Sequence, residues 1–121
     1  MNHAAQVLAR LKGPVVPLNR CFNEDGSVNY PAVTTYVDWL AEEQVPVILL
    51  TYGSSEFRGL PDEELCQVTA AVSEANAGRS LFIASTGMWK PSQTREFLQF
   101  AAGVGVDAVK VHINPALPAT R

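Results

Sequence analysis

Cysteine is scarce in this sequence. Cys21 and Cys66 are the only two in 121 residues. Their separation fits neither a metal knuckle nor a Cys-x-x-Cys redox pair, so both read as ordinary thiols of a cytosolic protein. Histidine is equally sparse: His3 and His112 stand far apart, neither at ligand spacing from acidic residues, so no metal and no cofactor is expected. Long apolar runs are missing, and nothing approaches the roughly 20 residues of a membrane-spanning helix. The opening Met1-Asn2-His3-Ala4-Ala5-Gln6 lacks the basic-then-apolar order of a signal peptide. Positive charge is in the minority, with nine Lys and Arg against twelve Asp and Glu and a formal net charge of −3. That balance offers no basic field to nucleic acid or anionic lipid. The expectation is a soluble, cytoplasmic protein with a small-molecule partner, no nucleic acid and no membrane.

What is present is a core. Hydrophobic residues make up 47% and charged ones 17%, which suits an ordered fold. Val7, Leu8 and Leu11 recur at helical spacing in a short docking helix. After Gly13-Pro14, the run Val15–Asn19 reads as a first strand, although Pro17 has no backbone donor and must sit where none is needed. Asn23–Ser27 is a turn, with Gly26 free to take positive φ. Asn29 is a fit N-cap and Pro31 suits a first helical turn. Val33, Tyr36, Val37, Leu40 and Ala41 then mark one buried helical face. The unbroken aliphatic run Val47–Thr51 suits a strand buried on both sides, as in a parallel sheet.

The same grammar repeats twice. A loop, Tyr52–Gly59, leads to Pro61 and an acidic first turn (Asp62, Glu63, Glu64) that favours the helix dipole. Leu65, Val68, Val72 and Ala75 form the apolar face of that helix, and Gly78 is placed to stop it. Leu81–Ser85 is a third strand. Pro91 opens a third helix with Phe97, Phe100, Ala101 and Val104 inward, and Asp107–Ile113 is a fourth strand. Trp39 and Trp89 read as packing residues. Strands and helices alternating at about thirty-residue intervals give the βαβ rhythm of a parallel sheet with right-handed crossovers. An open doubly wound sheet and a segment of a (β/α)8 barrel both fit. The lack of a Gly-x-Gly-x-x-Gly turn after any strand weakens the dinucleotide-binding form of the first.

Three stretches carry a resemblance to a known family. They are Pro17-Leu18 through Phe22–Val28; Tyr52-Gly53-Ser54-Ser55-Glu56 with Leu60–Glu64; and Ala84-Ser85-Thr86-Gly87 with Phe100-Ala101 and Val106–Val109. In this order the chain resembles the dihydrodipicolinate synthase / N-acetylneuraminate lyase family of Schiff-base barrels. The flavour is that of its sugar-acid dehydratase and aldolase branch. The resemblance implies an α/β fold, a partial (β/α)8 TIM barrel with parallel strands one to four and three helices. A full barrel needs about 250 residues, so residues 1–121 are expected to be a single domain, the N-terminal half. The chain is then either a fragment or a half-barrel that must pair, and self-association is expected.

The family forms an imine between a late-barrel Lys and a 2-oxo acid, because an iminium is an electron sink and burial lets the amine attack. The lysines here are Lys12, Lys90 and Lys110, none at the matching position, and the family's relay Tyr falls near Asn114-Pro115-Ala116. The resemblance assigns carboxylate binding to the loop with Gly53, Ser54 and Ser55; the plain alternative is a glycine-rich βα turn. Arg20 at the end of the first strand is a bidentate anion donor or a surface ion pair. His112, closing the fourth strand, is a proton relay or a structural histidine, and Thr86 and Gly87 end the third strand at the same mouth. Lys110 as imine former is the outlying reading. The expected function is an aldolase or hydro-lyase on a 2-oxo acid such as pyruvate or a sugar acid, oligomeric, with this chain inactive by itself. The alternative is a non-catalytic half-barrel that associates or binds a small carboxylate.

Overall fold

The computed structural model describes residues 2–19, 21–50, 60–113 and 115. Its elements in chain order are α1 (His3–Arg10), β1 (Val15–Pro17), α2 (Tyr30–Glu42), β2 (Val47–Leu49), α3 (Asp62–Asn76), β3 (Leu81–Ser85), α4 (Pro91–Gly103) and β4 (Ala108–Lys110). The four strands make one parallel sheet in the order β1-β2-β3-β4. That order decides between the two architectures. A doubly wound sheet reverses its strand order part-way. Unbroken sequential order with right-handed crossovers puts the crossover helices on one face, as in a barrel wall. The described residues are therefore a four-stranded section of such a wall, with α2, α3 and α4 on its outside.

Local sequence explains each helix. The Asn29 side chain accepts from the Ala32 N–H at 3.0 Å, with Pro31 in the first turn of α2. Val33, Val37 and Leu40 are buried beneath that helix, with Tyr36 and Ala41 half-buried. Acidic residues fill the first turn of α3, whose Leu65, Val68 and Val72 pack inward. α4 starts at Pro91 and buries Phe97 and Ala101. Between helices and sheet, Ile48, Phe82 and Ala84 complete one apolar core, and burial of that area is the main stabilising term. α1 lies across the N-terminal end of the sheet: His3 Nε2 is 3.1 Å from the Asp107 carbonyl, and Arg10 donates to the Gly78 and Arg79 carbonyls.

The strands come out shorter than expected, except Leu81–Ser85. Val15–Asn19 contracts to Val15–Pro17 and Asp107–Ile113 to Ala108–Lys110. The donorless Pro17 is accommodated as its chemistry requires. Leu18 donates its N–H to the Leu49 carbonyl at 2.8 Å, so by alternation Pro17 turns its nitrogen away from β2. Two expectations need correction. Ala77, not Gly78, takes the left-handed position that ends α3 (φ 49°, ψ 38°), with Gly78 continuing the reversal at φ 74°. Trp39 is not a packing residue: it is 55% exposed and stacks on Tyr36 along the outer side of α2, with ring centroids 6.4 Å apart.

Polar side chains tie the sheet's N-terminal end. Asn76, only 2% exposed, donates to the Ser80 carbonyl at 2.7 Å and accepts from the Ser80 N–H at 3.0 Å. Ser80 in turn donates its hydroxyl to the Val45 carbonyl, and Asp107 accepts from the Phe82 N–H at 2.9 Å. Buried backbone groups are costly when unpaired, and these contacts satisfy the groups that the short strands leave over. No described helix is long and apolar enough to cross a membrane.

Candidate functional site

All four parallel strands end on one side, so the residues following Pro17, Leu49, Ser85 and Lys110 gather at one mouth. This is the end at which barrel enzymes assemble their sites. Two sequence-selected residues meet there. Thr86, fully buried, donates its backbone N–H to the Lys110 carbonyl at 3.0 Å and accepts the His112 N–H on its hydroxyl oxygen at 2.8 Å. The fourth strand's continuation is thus held to the third beyond the regular ladder. Beside it, Ser85 donates its hydroxyl to the Leu50 carbonyl and ties the third strand to the second.

His112 is half-buried. Burial, and after it the Lys110 ammonium, hold its imidazole below the usual histidine range. The ring is consequently neutral near pH 7, the form that can take up a proton. Lys110 itself is exposed at the end of β4. Arg20, Gly53, Ser54 and Ser55 lie outside the described residues; the residues just before those stretches, Asn19 and Leu50, lie at the same mouth.

A second concavity, of about 250 Å³, lies between α3 and α4 and is lined by Asp62, Cys66, Trp89, Gln93 and Phe97 among others. Sequence reasoning missed it. Trp89 is half-buried and donates its indole N–H to Asp62 at 2.9 Å, packing edge-on against Phe97 at 5.2 Å. The signal was there in the acidic start of one helix and the aromatic start of the next, but periodicity cannot show that they meet. Burial first, then Asp62 and Glu63, raise the Cys66 thiol, which makes it a weak nucleophile.

No family model matches the chain. Individual relatives do. The 4-hydroxy-tetrahydrodipicolinate synthase of Polynucleobacter asymbioticus is 35% identical over 85 residues, covering 70% of this chain and 28% of its own length. Among solved structures, N-acetylneuraminate lyase from Mycoplasma synoviae superposes with a TM-score of 0.78 at 32% identity, over 86% of this chain and 36% of that one. The chain belongs with the dihydrodipicolinate synthase / N-acetylneuraminate lyase family. Dihydrodipicolinate synthase from Aquifex aeolicus gives a TM-score of 0.77 at 28% identity, covering 84% of this chain and 34% of that one. The chain thus spans about a third of the length of the relatives it matches. Its origin is in the lyase family, and its sheet is a section of that family's TIM barrel.

Proposed function

We propose that these residues form the N-terminal half of an aldolase or hydro-lyase that acts on a 2-oxo acid, pyruvate or a sugar acid, through a Lys imine. The observation that carries this reading is the common mouth of the four strands, where Thr86 fixes His112 beside Lys110. In this reading the stretch with Gly53, Ser54 and Ser55, next in sequence after β2, supplies amides and hydroxyls for the substrate carboxylate. Arg20, following β1, holds a second acidic group by two parallel N–H bonds. His112, neutral near pH 7, takes or returns the proton. The imine nucleophile is none of the three lysines here: Lys12 precedes β1, Lys90 is taken up as the N-cap of α4, and Lys110 sits beside the histidine.

A second reading, a half-barrel that binds a small carboxylate without catalysis, rests on those same lysine positions. One experiment addresses both. Pyruvate titrated into the 121-residue chain should shift the amide resonances of Gly53, Ser54, Ser55 and His112 saturably, and Arg20→Ala should weaken the response to a dicarboxylic 2-oxo acid. Borohydride reduction in the same mixture should leave Lys12, Lys90 and Lys110 unmodified by mass spectrometry. A chain without saturable shifts refutes the carboxylate role, and an adduct on Lys110 refutes the placement of the nucleophile.

A further inference from the structure

At the C-terminal end of β3, two consecutive hydroxyl side chains extend the backbone ladder, one toward each neighbouring strand. Register pairs Ala84 with Val109 and Ser85 with Lys110, and the Thr86 N–H continues that series by donating to the Lys110 carbonyl at 3.0 Å. The next bond of a parallel ladder would run from the His112 N–H to the Thr86 carbonyl. Here the Thr86 hydroxyl oxygen accepts that N–H, at 2.8 Å. Toward β2, the Leu50 N–H donates to the Ile83 carbonyl at 3.0 Å, and the Leu50 carbonyl accepts from the Ser85 hydroxyl. Ser85 and Thr86 are both fully buried, so water does not compete for either hydroxyl and an unpaired one would be costly. The two bonds differ in what they hold. Ser85 ties down Leu50, a buried aliphatic residue. Thr86 ties down His112, past the end of β4, where regular pairing no longer fixes the chain.

Valine would serve the strand end as well as threonine, since both are β-branched and close in shape. The hydroxyl is therefore the part of Thr86 that sheet formation alone leaves unexplained. Its partner is a histidine, whose charge changes near neutral pH. We propose that Thr86 is a positioning residue: by accepting the His112 N–H, its hydroxyl fixes where the His112 imidazole stands at the strand mouth. Ser85, with the same kind of bond, only joins strands. Because Thr86 holds the main chain of His112, the bond engages neither ring nitrogen, and both stay available for proton exchange. The imidazole is half-buried, and burial, then the Lys110 ammonium, lowers its proton affinity. A His112 released from Thr86 would gain water and lose that burial. The inference rests on the reading of His112 as the group that takes or returns the proton.

Nuclear magnetic resonance of the 121-residue chain tests this through two quantities, exchange of the His112 amide and titration of its imidazole. With Thr86→Val the amide should exchange about fivefold faster or more, the equivalent of one ordinary hydrogen bond. The titration should move up toward the ordinary histidine value of about 6.5. Thr86→Ser should restore both. Ser85→Ala should lower the thermal midpoint and leave the titration in place. An unmoved titration in Thr86→Val overturns the proposal. So does a shift of equal size in Ser85→Ala, which would mark a general loosening, or a failure of serine to rescue. If Thr86→Val does not fold by circular dichroism, the unaltered chain decides. Slow exchange of the His112 amide supports the bond, and exchange at the rate of an unstructured amide overturns it. Saturating pyruvate separates this outcome from the proposed function. A titration that Thr86→Val moves and pyruvate leaves alone retains the positioning role and removes the proton-transfer reading.

Discussion

Replacing Gly87 by alanine should destabilise the protein for a reason that lies two residues away. A β-carbon built at Gly87 stands 2.6 Å from Trp89 Nε1 and 2.7 Å from Cε2, closer than non-bonded atoms approach. The φ of Gly87 is not left-handed, so its backbone suits alanine and strain does not come from the main chain. The indole must move instead. Moving it breaks the 2.9 Å bond to Asp62 and the edge-on contact with Phe97. The first contributes about 1 kcal/mol and the second about 0.5–1.5 kcal/mol, so a loss of about 2 kcal/mol is expected. Urea unfolding followed by tryptophan fluorescence measures it. The decisive comparison is a double-mutant cycle with Trp89→Ala. Without the indole the three nearest contacts of the new methyl are gone, and Gly87→Ala should cost markedly less than it does with Trp89 present. An equal cost with and without Trp89 would refute the steric argument.

Asn76→Ala should cost about 2–4 kcal/mol, because it strips both backbone groups of the buried Ser80 of their partner; thermal unfolding by circular dichroism reads it. Ala77→Gly should gain about 0.5–1 kcal/mol, since Ala77 holds a left-handed conformation that glycine adopts without penalty; an unchanged denaturation midpoint would count against that account. His112 makes stability depend on pH. Its folded pKa is lowered, so the folded state binds the proton less readily than the unfolded chain. Its contribution is present above about pH 6.5 and is lost as pH falls through the lowered folded value. His112→Gln should flatten the stability profile over that window.

Much of the fold was legible because the signals were local. The aliphatic run Leu81–Ser85 could be little else than a buried strand, and Asn29 with Pro31 announced the start of α2 chemically. The barrel-like order was legible only as one of two options, since strand neighbours are set by crossovers that periodicity does not encode. Errors arose where a residue's fate depends on what faces it. Trp39 carries a large apolar ring, yet it falls on the outer side of α2 and stays in water. Gly78 suited the helix stop, but the chain reversed one residue sooner, at Ala77, with Asn76 and Ser80 bonded across the turn. No spacing rule reveals that pair. At the mouth, His112 and Thr86 were selected for where they stood along the chain, and their hydrogen bond was not foreseeable. Arg20, Gly53, Ser54 and Ser55 lie outside the described residues.

The sheet's order bears on how the chain acquires its structure. Val15 pairs with Val47, Val47 with Leu81, and Ile83 with Ala108, so each pairing closes a loop of about thirty residues and none waits for a distant segment. Loop-closure entropy grows only slowly with length, and contacts of short sequence separation form soonest. Each strand that leaves the ribosome therefore finds its neighbour already synthesised, and the wall can be laid one strand at a time.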